Sequence, residues 1–145
     1  MLDRDAMVAR IKDVIEARMA GRGEDAMALI APDATYEIAA DVRNLPGFPP
    51  GGLARDNVGQ LIGLMTYENV IFEEPIVEGN RVAMVTHVDA VANGVAHRLR
   101  LCGLWEFDDD GCPTSLVEYA DTAAMRDWLM RGSAVLTIEP AQPVT

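Results

Sequence analysis

Apolar residues at Met7, Val8, Ile11, Val14, Ile15 and Met19 fall three and four positions apart, the spacing of a helix with one buried face. They predict a helix over residues 5–20, which Gly21 and Gly23 end. A short second helix over 24–30 is stopped by Pro32, and 34–40 reads as a strand. Residues 44–53 hold three prolines and three glycines in ten positions, which makes them a loop; Phe48 is its lone large aromatic. Asp56 or Asn57 then caps a third helix to about residue 65, burying Val58, Leu61, Ile62 and Met65.

From Asn69 the pattern turns to β, with strands over 69–77, 82–91, 95–107 and 115–120. Glu78-Gly79-Asn80, Asn93-Gly94 and the acidic run Asp108-Asp109-Asp110 before Gly111 separate them, and Asn-Gly between two such runs is a strong hairpin signal. A last helix over 123–130 is capped by Asp121 and Thr122, and the Pro-containing tail beyond Arg131 is expected to be loosely held. Helices first and a meander of strands afterwards indicate an α+β fold, with helices covering one face of a curved antiparallel sheet. The expected organisation is one domain over 1–131 and a tail over 132–145.

Charge narrows the partners. Twelve Lys and Arg against 23 Asp and Glu give a net charge of −11, and the arginines are scattered around a single lysine, Lys12. Nucleic acid and anionic lipid are therefore excluded as expected partners, leaving small molecules and proteins. No apolar run approaches the roughly 18 residues of a membrane helix, and Asp3 and Asp5 do not fit a secretory leader. Two cysteines, Cys102 and Cys112, make no disulfide framework and no metal-ligand spacing. The expectation is a cytoplasmic protein with no metal and no cofactor.

Two stretches carry a resemblance. ARMAGRGEDAMALIAPDATYEI (17–38) and GLWEFDDDG with the following LVEYADTAAM (103–125) are similar to the nuclear-transport-factor-2-like superfamily, in its SnoaL-like and ketosteroid-isomerase-like branch. With the strand meander between them, the resemblance spans nearly the whole chain. It implies a cone-shaped curved sheet wrapped by three to four helices around one pocket, with an open sheet face that pairs two copies into a homodimer. It also implies a small, mostly apolar ligand and cofactor-independent acid/base chemistry of isomerase, cyclase, dehydratase or hydrolase type. A non-catalytic ligand-binding or dimerisation module on the same scaffold is the alternative.

Ketosteroid isomerases place a tyrosine on the first helix, a carboxylate base on the first strand and a second carboxyl on the strand leading into the acidic turn. The resemblance puts Val14, Ile38 and Gly103 at those positions, and none of the three can take or give a proton. Isomerisation by that mechanism is excluded.

The same register implies which side chains face the pocket. Tyr36 and Ile38 share the inner face of the first strand, since side chains alternate. His97, Leu99, Leu101, Gly103 and Trp105 share that of the long strand, and Glu118 and Ala120 that of the last. A two-residue Asn93-Gly94 turn sets Met84, Thr86 and Val88 inward and His87 and Asp89 outward, opposite Arg100 and Arg98; a three-residue turn reverses this. With Val14, Phe48, Leu61 and Met65 the expected lining is largely apolar, and Phe48 stands near the mouth in a loop able to act as a lid.

Against that lining Glu118 is the leading catalytic candidate, because a carboxyl among apolar groups is partly desolvated and its pKa rises. Bracing the fold is the competing role. Arg18, one helical turn beyond Val14, points to the pocket or compensates the helix dipole. Tyr36 donates to a ligand or to the backbone, and His97 sits at the rim beside the hairpin turn.

Overall fold

The computed structural model describes residues 2–138. Three helices and a short 3-10 turn interleave with the first two strands: α1 (Arg4–Met19), α2 (Gly23–Ala28), β1 (Thr35–Ile38), the turn Val42–Asn44, β2 (Gly52–Leu53) and α3 (Ala54–Leu64). The meander follows as β3 (Thr66–Phe72), β4 (Ile76–Glu78), β5 (Arg81–Ala92), β6 (Val95–Phe107) and β7 (Pro113–Tyr119), and α4 (Thr122–Ile138) closes the order. The sheet runs β2-β1-β7-β6-β5-β3, with β4 also paired to β5. Every pairing is antiparallel except β1 with β7, which is parallel.

Turn chemistry fixes the register. Asn93 and Gly94 both adopt positive φ, 52° and 77°, as a two-residue hairpin turn of the primed type requires. Ala92 consequently pairs with Val95, and the ladder continues through His87 with Arg100, Thr86 with Leu101 and Met84 with Gly103. His87 and Asp89 lie on the outer face. There His87 meets Glu73 at 2.6 Å, and Asp89 takes the guanidinium of Arg98 and the amide of Asn69.

Four expectations are corrected. The predicted strand over 69–77 is two strands, β3 and β4, because residues 73–75, which include Pro75, leave the sheet between Phe72 and Ile76; β3 itself begins earlier, at Thr66, and bulges between Glu68 and Ile71, where Asn69 takes φ 48°. The predicted loop over 44–53 follows the 3-10 turn, sharing only Asn44 with it, and ends in the short strand β2. Helix α3 starts at Ala54, three or four residues earlier than a cap at Asp56 or Asn57 would place it, and no side chain caps it. Asn57 is instead buried and donates to the Pro50 carbonyl at 3.2 Å, tying that loop to the helix. Helix α4, capped by Asp121 at 3.0 Å, continues past residue 130 to Ile138, so part of the expected tail is helical; residues 139–145 lie outside the described residues.

The interior divides into two main clusters along the strands. One gathers Met7, Ile11, Val14 and Ala26 from α1 and α2 onto Val82, Met84, Trp105 and Phe107. The other gathers Met125, Trp128 and Leu129 from α4 onto Ile38, Leu45, Met65, Val88 and Leu99. Between them the curved sheet encloses a cavity.

Candidate functional site

A cavity of about 130 Å³ lies inside the cone, bounded by α1, α2 and α3 on one side and by β1, β3, β5, β6 and β7 on the other. Most of its wall is apolar: Val14, Ile15, Met27, Ile30, Val58, Leu61, Met84, Val88, Leu101, Trp105 and Leu116, with Phe48 from the loop. Gly103 also lines it. A Cβ there would stand 2.9 Å from Trp105 Nε1 and 3.1 Å from Leu116 Cδ1, so the indole edge lies back over the glycine and only a glycine fits beneath it.

Four polar side chains from four elements converge on this space: Arg18 from the last turn of α1, Tyr36 from β1, Tyr67 from β3 and Glu118 from β7. Sheet register brings Tyr36 and Glu118 together. Tyr36 pairs with Leu116 and Ile38 with Glu118 across the parallel ladder, while Gly103 pairs with Glu118 on the other side. The Tyr36 hydroxyl and the Glu118 carboxyl lie close enough in the cavity for each to shift the other's proton affinity. Arg18 donates from Nη2 to the Leu61 carbonyl at 3.0 Å, and its Cζ stands 3.8 Å from the centre of the Tyr67 ring, a cation–π contact that orients the guanidinium.

Burial dominates the electrostatics. Desolvation pushes the Glu118 carboxyl above the ordinary carboxylate range, against the neighbouring Tyr36 hydroxyl and the Arg18 charge, which pull it down. Both tyrosines are raised, first by burial and next by the negative charge of Glu118. Glu118, Tyr36 and Tyr67 are each partly buried and all line the cavity. The arrangement is a carboxyl that holds its proton more readily than usual, a phenol beside it, and a fixed positive charge nearby.

Of the expected catalytic candidates, Arg18, Tyr36 and Glu118 meet in the cavity and His97 does not. Its ring stacks on Trp128, centroids 5.4 Å apart and planes 24° from parallel, because Ala90 and His97 pair in the part of the barrel that α4 fills. Expected lining residues Ile38, Met65, Leu99 and Ala120 face inward but pack in that filled end as well. Val14, Phe48, Leu61, Met84, Thr86, Val88, Leu101, Gly103 and Trp105 line the cavity.

Sequence reasoning missed Tyr67. It fell in a segment read as the link between helix and strand, and the bulge beside it breaks the alternation that marks an inner position. The acidic turn is structural: Asp108 Oδ1 accepts from the amides of Asp110 and Cys112 at 3.0 and 2.9 Å. Among the described residues no group of three His, Cys, Asp or Glu side chains is placed to hold a metal ion, and no helix is long and apolar enough to cross a membrane.

No protein-family model matches the sequence, and no curated protein does. Solved structures match over nearly the whole chain. The BvnE pinacolase of Penicillium brevicompactum superposes with a TM-score of 0.73 at 16% identity, covering 92% of this chain and 98% of that one. An LEH-like epoxide hydrolase of M. tuberculosis gives 0.66 at 20%, covering 92% and 96%. An NTF2-like protein of Burkholderia xenovorans LB400 gives 0.65 at 17%, covering 89% and 99%. The chain has the nuclear-transport-factor-2-like fold. At such identities the likeness concerns the fold, and this chain's chemistry rests on its own cavity.

Proposed function

We propose that this nuclear-transport-factor-2-like chain binds a small, largely apolar, oxygen-bearing molecule and performs cofactor-independent acid/base chemistry on it. Glu118 gives and takes the proton, Tyr36 hydrogen-bonds the carboxyl or the ligand oxygen, and Arg18 stabilises negative charge as it develops. The observation that carries this reading is the Tyr36–Glu118 pair inside an apolar cavity, with burial holding the carboxyl above its ordinary range. That similar structures include an epoxide hydrolase and a pinacolase supports a small-molecule reading of the cavity.

The test is a turnover screen of cyclic ketones, enones and epoxides with wild type and Glu118→Gln. The expected result is a substrate whose turnover falls by about 10²–10⁴-fold in the variant while the ligand still binds. Equal turnover by both proteins removes Glu118 from the chemistry. Binding without turnover by either favours the alternative, a binding module.

The outer sheet face supports a second part of the proposal, a homodimer formed through it. Ile71, Ile76 and Tyr119 are 57%, 74% and 49% exposed, beside the pairs of Arg98 with Asp89 and Arg81 with Glu106. Sedimentation equilibrium checks this, and a monomer at micromolar concentration overturns it. With both cysteines free and a net charge of −11, a cytoplasmic setting without nucleic-acid or membrane partners fits best.

A further inference from the structure

One side chain folds across the β6 wall of the cavity. Trp105 and Leu101 both line it and stand four residues apart on β6, roughly 13 Å of strand. Trp105 does not stand upright at its own end. Its indole edge lies over Gly103, where a Cβ would come within 2.9 Å of Nε1, and so covers the middle of that span. Behind Trp105 the interior is filled by Val82, Phe107, Met7 and Ile11, and beyond Leu101 by the residues under α4. What remains is about 130 Å³, close to the volume of an engineered apolar cavity of about 150 Å³ that accepts benzene.

We propose that the Trp105 indole, folded over Gly103, is the specificity-determining group of this site and restricts it to compact ligands of about one ring, excluding fused polycycles. The proposal rests on the small-molecule reading of the cavity given above and adds a size class and its cause. A one-ring ligand lies between the indole and Leu101, within the cavity that Glu118 also lines. Removing the indole leaves the glycine uncovered and joins that space to the cavity.

Thermal shift and titration calorimetry on the full chain test this with benzene and 2-cyclohexenone as one-ring probes, 2-decalone as a two-ring probe and progesterone as a four-ring probe. Wild type, Trp105→Ala, the milder Trp105→Leu and Glu118→Gln are compared. Wild type is expected to bind the one-ring probes and reject the larger two, and a Trp105 variant to bind 2-decalone about tenfold or more tighter than wild type does. Binding of 2-decalone or progesterone to wild type as tight as that of 2-cyclohexenone overturns the proposal. So does unchanged size selection in a folded Trp105 variant, or failure of wild type to bind either one-ring probe.

Glu118→Gln separates this from the acid/base reading. If 2-cyclohexenone is selected by size but Glu118→Gln changes neither binding nor turnover of any substrate, the size limit stands and the acid/base role falls. If that variant abolishes turnover while the size limit is absent, the reverse holds.

Discussion

Trp128 and Trp105 are both almost fully buried, at 0% and 4% exposure, and both pack against the inner face of the same sheet. Trp128 is locked from three sides: its indole N–H donates to the Val95 carbonyl at 2.9 Å, His97 stacks on its ring, and Met65, Leu99 and Met125 join it in one cluster. Trp105 has a packed cluster behind it and a cavity before it. The filled end carries apolar packing and the hollow end carries the polar cluster. A void beside enclosed titratable groups is costly to keep, because unfilled volume forfeits packing contacts and buried polar groups must be matched. Its presence beside the polar cluster marks that end as the working part of the molecule and the end packed under α4 as its foundation.

The largest expected effect tests the foundation. Trp128→Ala should destabilise the chain by about 3–5 kcal/mol, through lost burial and a cavity the surroundings cannot refill. Trp105→Ala should cost clearly less, since part of its surface already faces empty space. Urea unfolding measures both, and equal costs for the two would break the comparison.

Gly103→Ala comes next. Its Cβ meets the indole at 2.9 Å and Leu116 at 3.1 Å, so overpacking should cost about 1–3 kcal/mol. The indole has one direction free to move, into the cavity. Stability should therefore fall together with ligand binding, read by urea unfolding and calorimetry with 2-cyclohexenone; a stable variant that binds normally would remove the glycine from the argument.

A third effect depends on pH. Burial raises the Glu118 pKa in the folded chain above its ordinary 4.5, so between the two values the folded chain holds a proton that the unfolded chain has released. The stability tied to this group is full below the unfolded pKa and is lost as pH rises through the folded one. Wild type should lose stability relative to Glu118→Gln as pH increases from about 4.5. Unfolding curves for both proteins across that window check this, and a difference that does not change with pH sinks it. Asp89, held down by Arg98 and Asn69, works in the opposite direction, losing its contribution as pH falls, and cancels when the two proteins are compared.

Much of the architecture could be read directly from residue types, and the reason is local. Asn93-Gly94 has the one turn chemistry that fits a tight hairpin, and that turn sets the pairing of β5 with β6 and hence the inward or outward sense of every residue on both strands. Glu118 and Tyr36 were accessible through strand alternation in the register the resemblance implies, and Arg18 through its position one helical turn beyond Val14. Tyr67 was not, because the bulge at Asn69 shifts the alternation next to it. Parity also could not separate hollow from filled: Ile38, Leu99 and Ala120 face inward as Leu101 and Trp105 do, yet α4 covers the former. Which end a helix plugs is a matter of tertiary packing, and no local pattern of β6 or β7 reports it.

His97 shows the same limit most clearly and carries the smallest effect. By residue type and parity it is a candidate proton carrier; by position it is part of the plug, stacked on Trp128. His97→Ala should therefore cost about 0.5–1.5 kcal/mol, the worth of an aromatic pair, and leave ligand binding and the pH dependence of turnover unchanged. His97→Phe, which keeps an aromatic face for the indole, should restore most of the stability. If His97→Ala instead alters the pH profile while the fold stays intact, the filled end takes part in the chemistry, and the division between the two ends of the barrel is wrong.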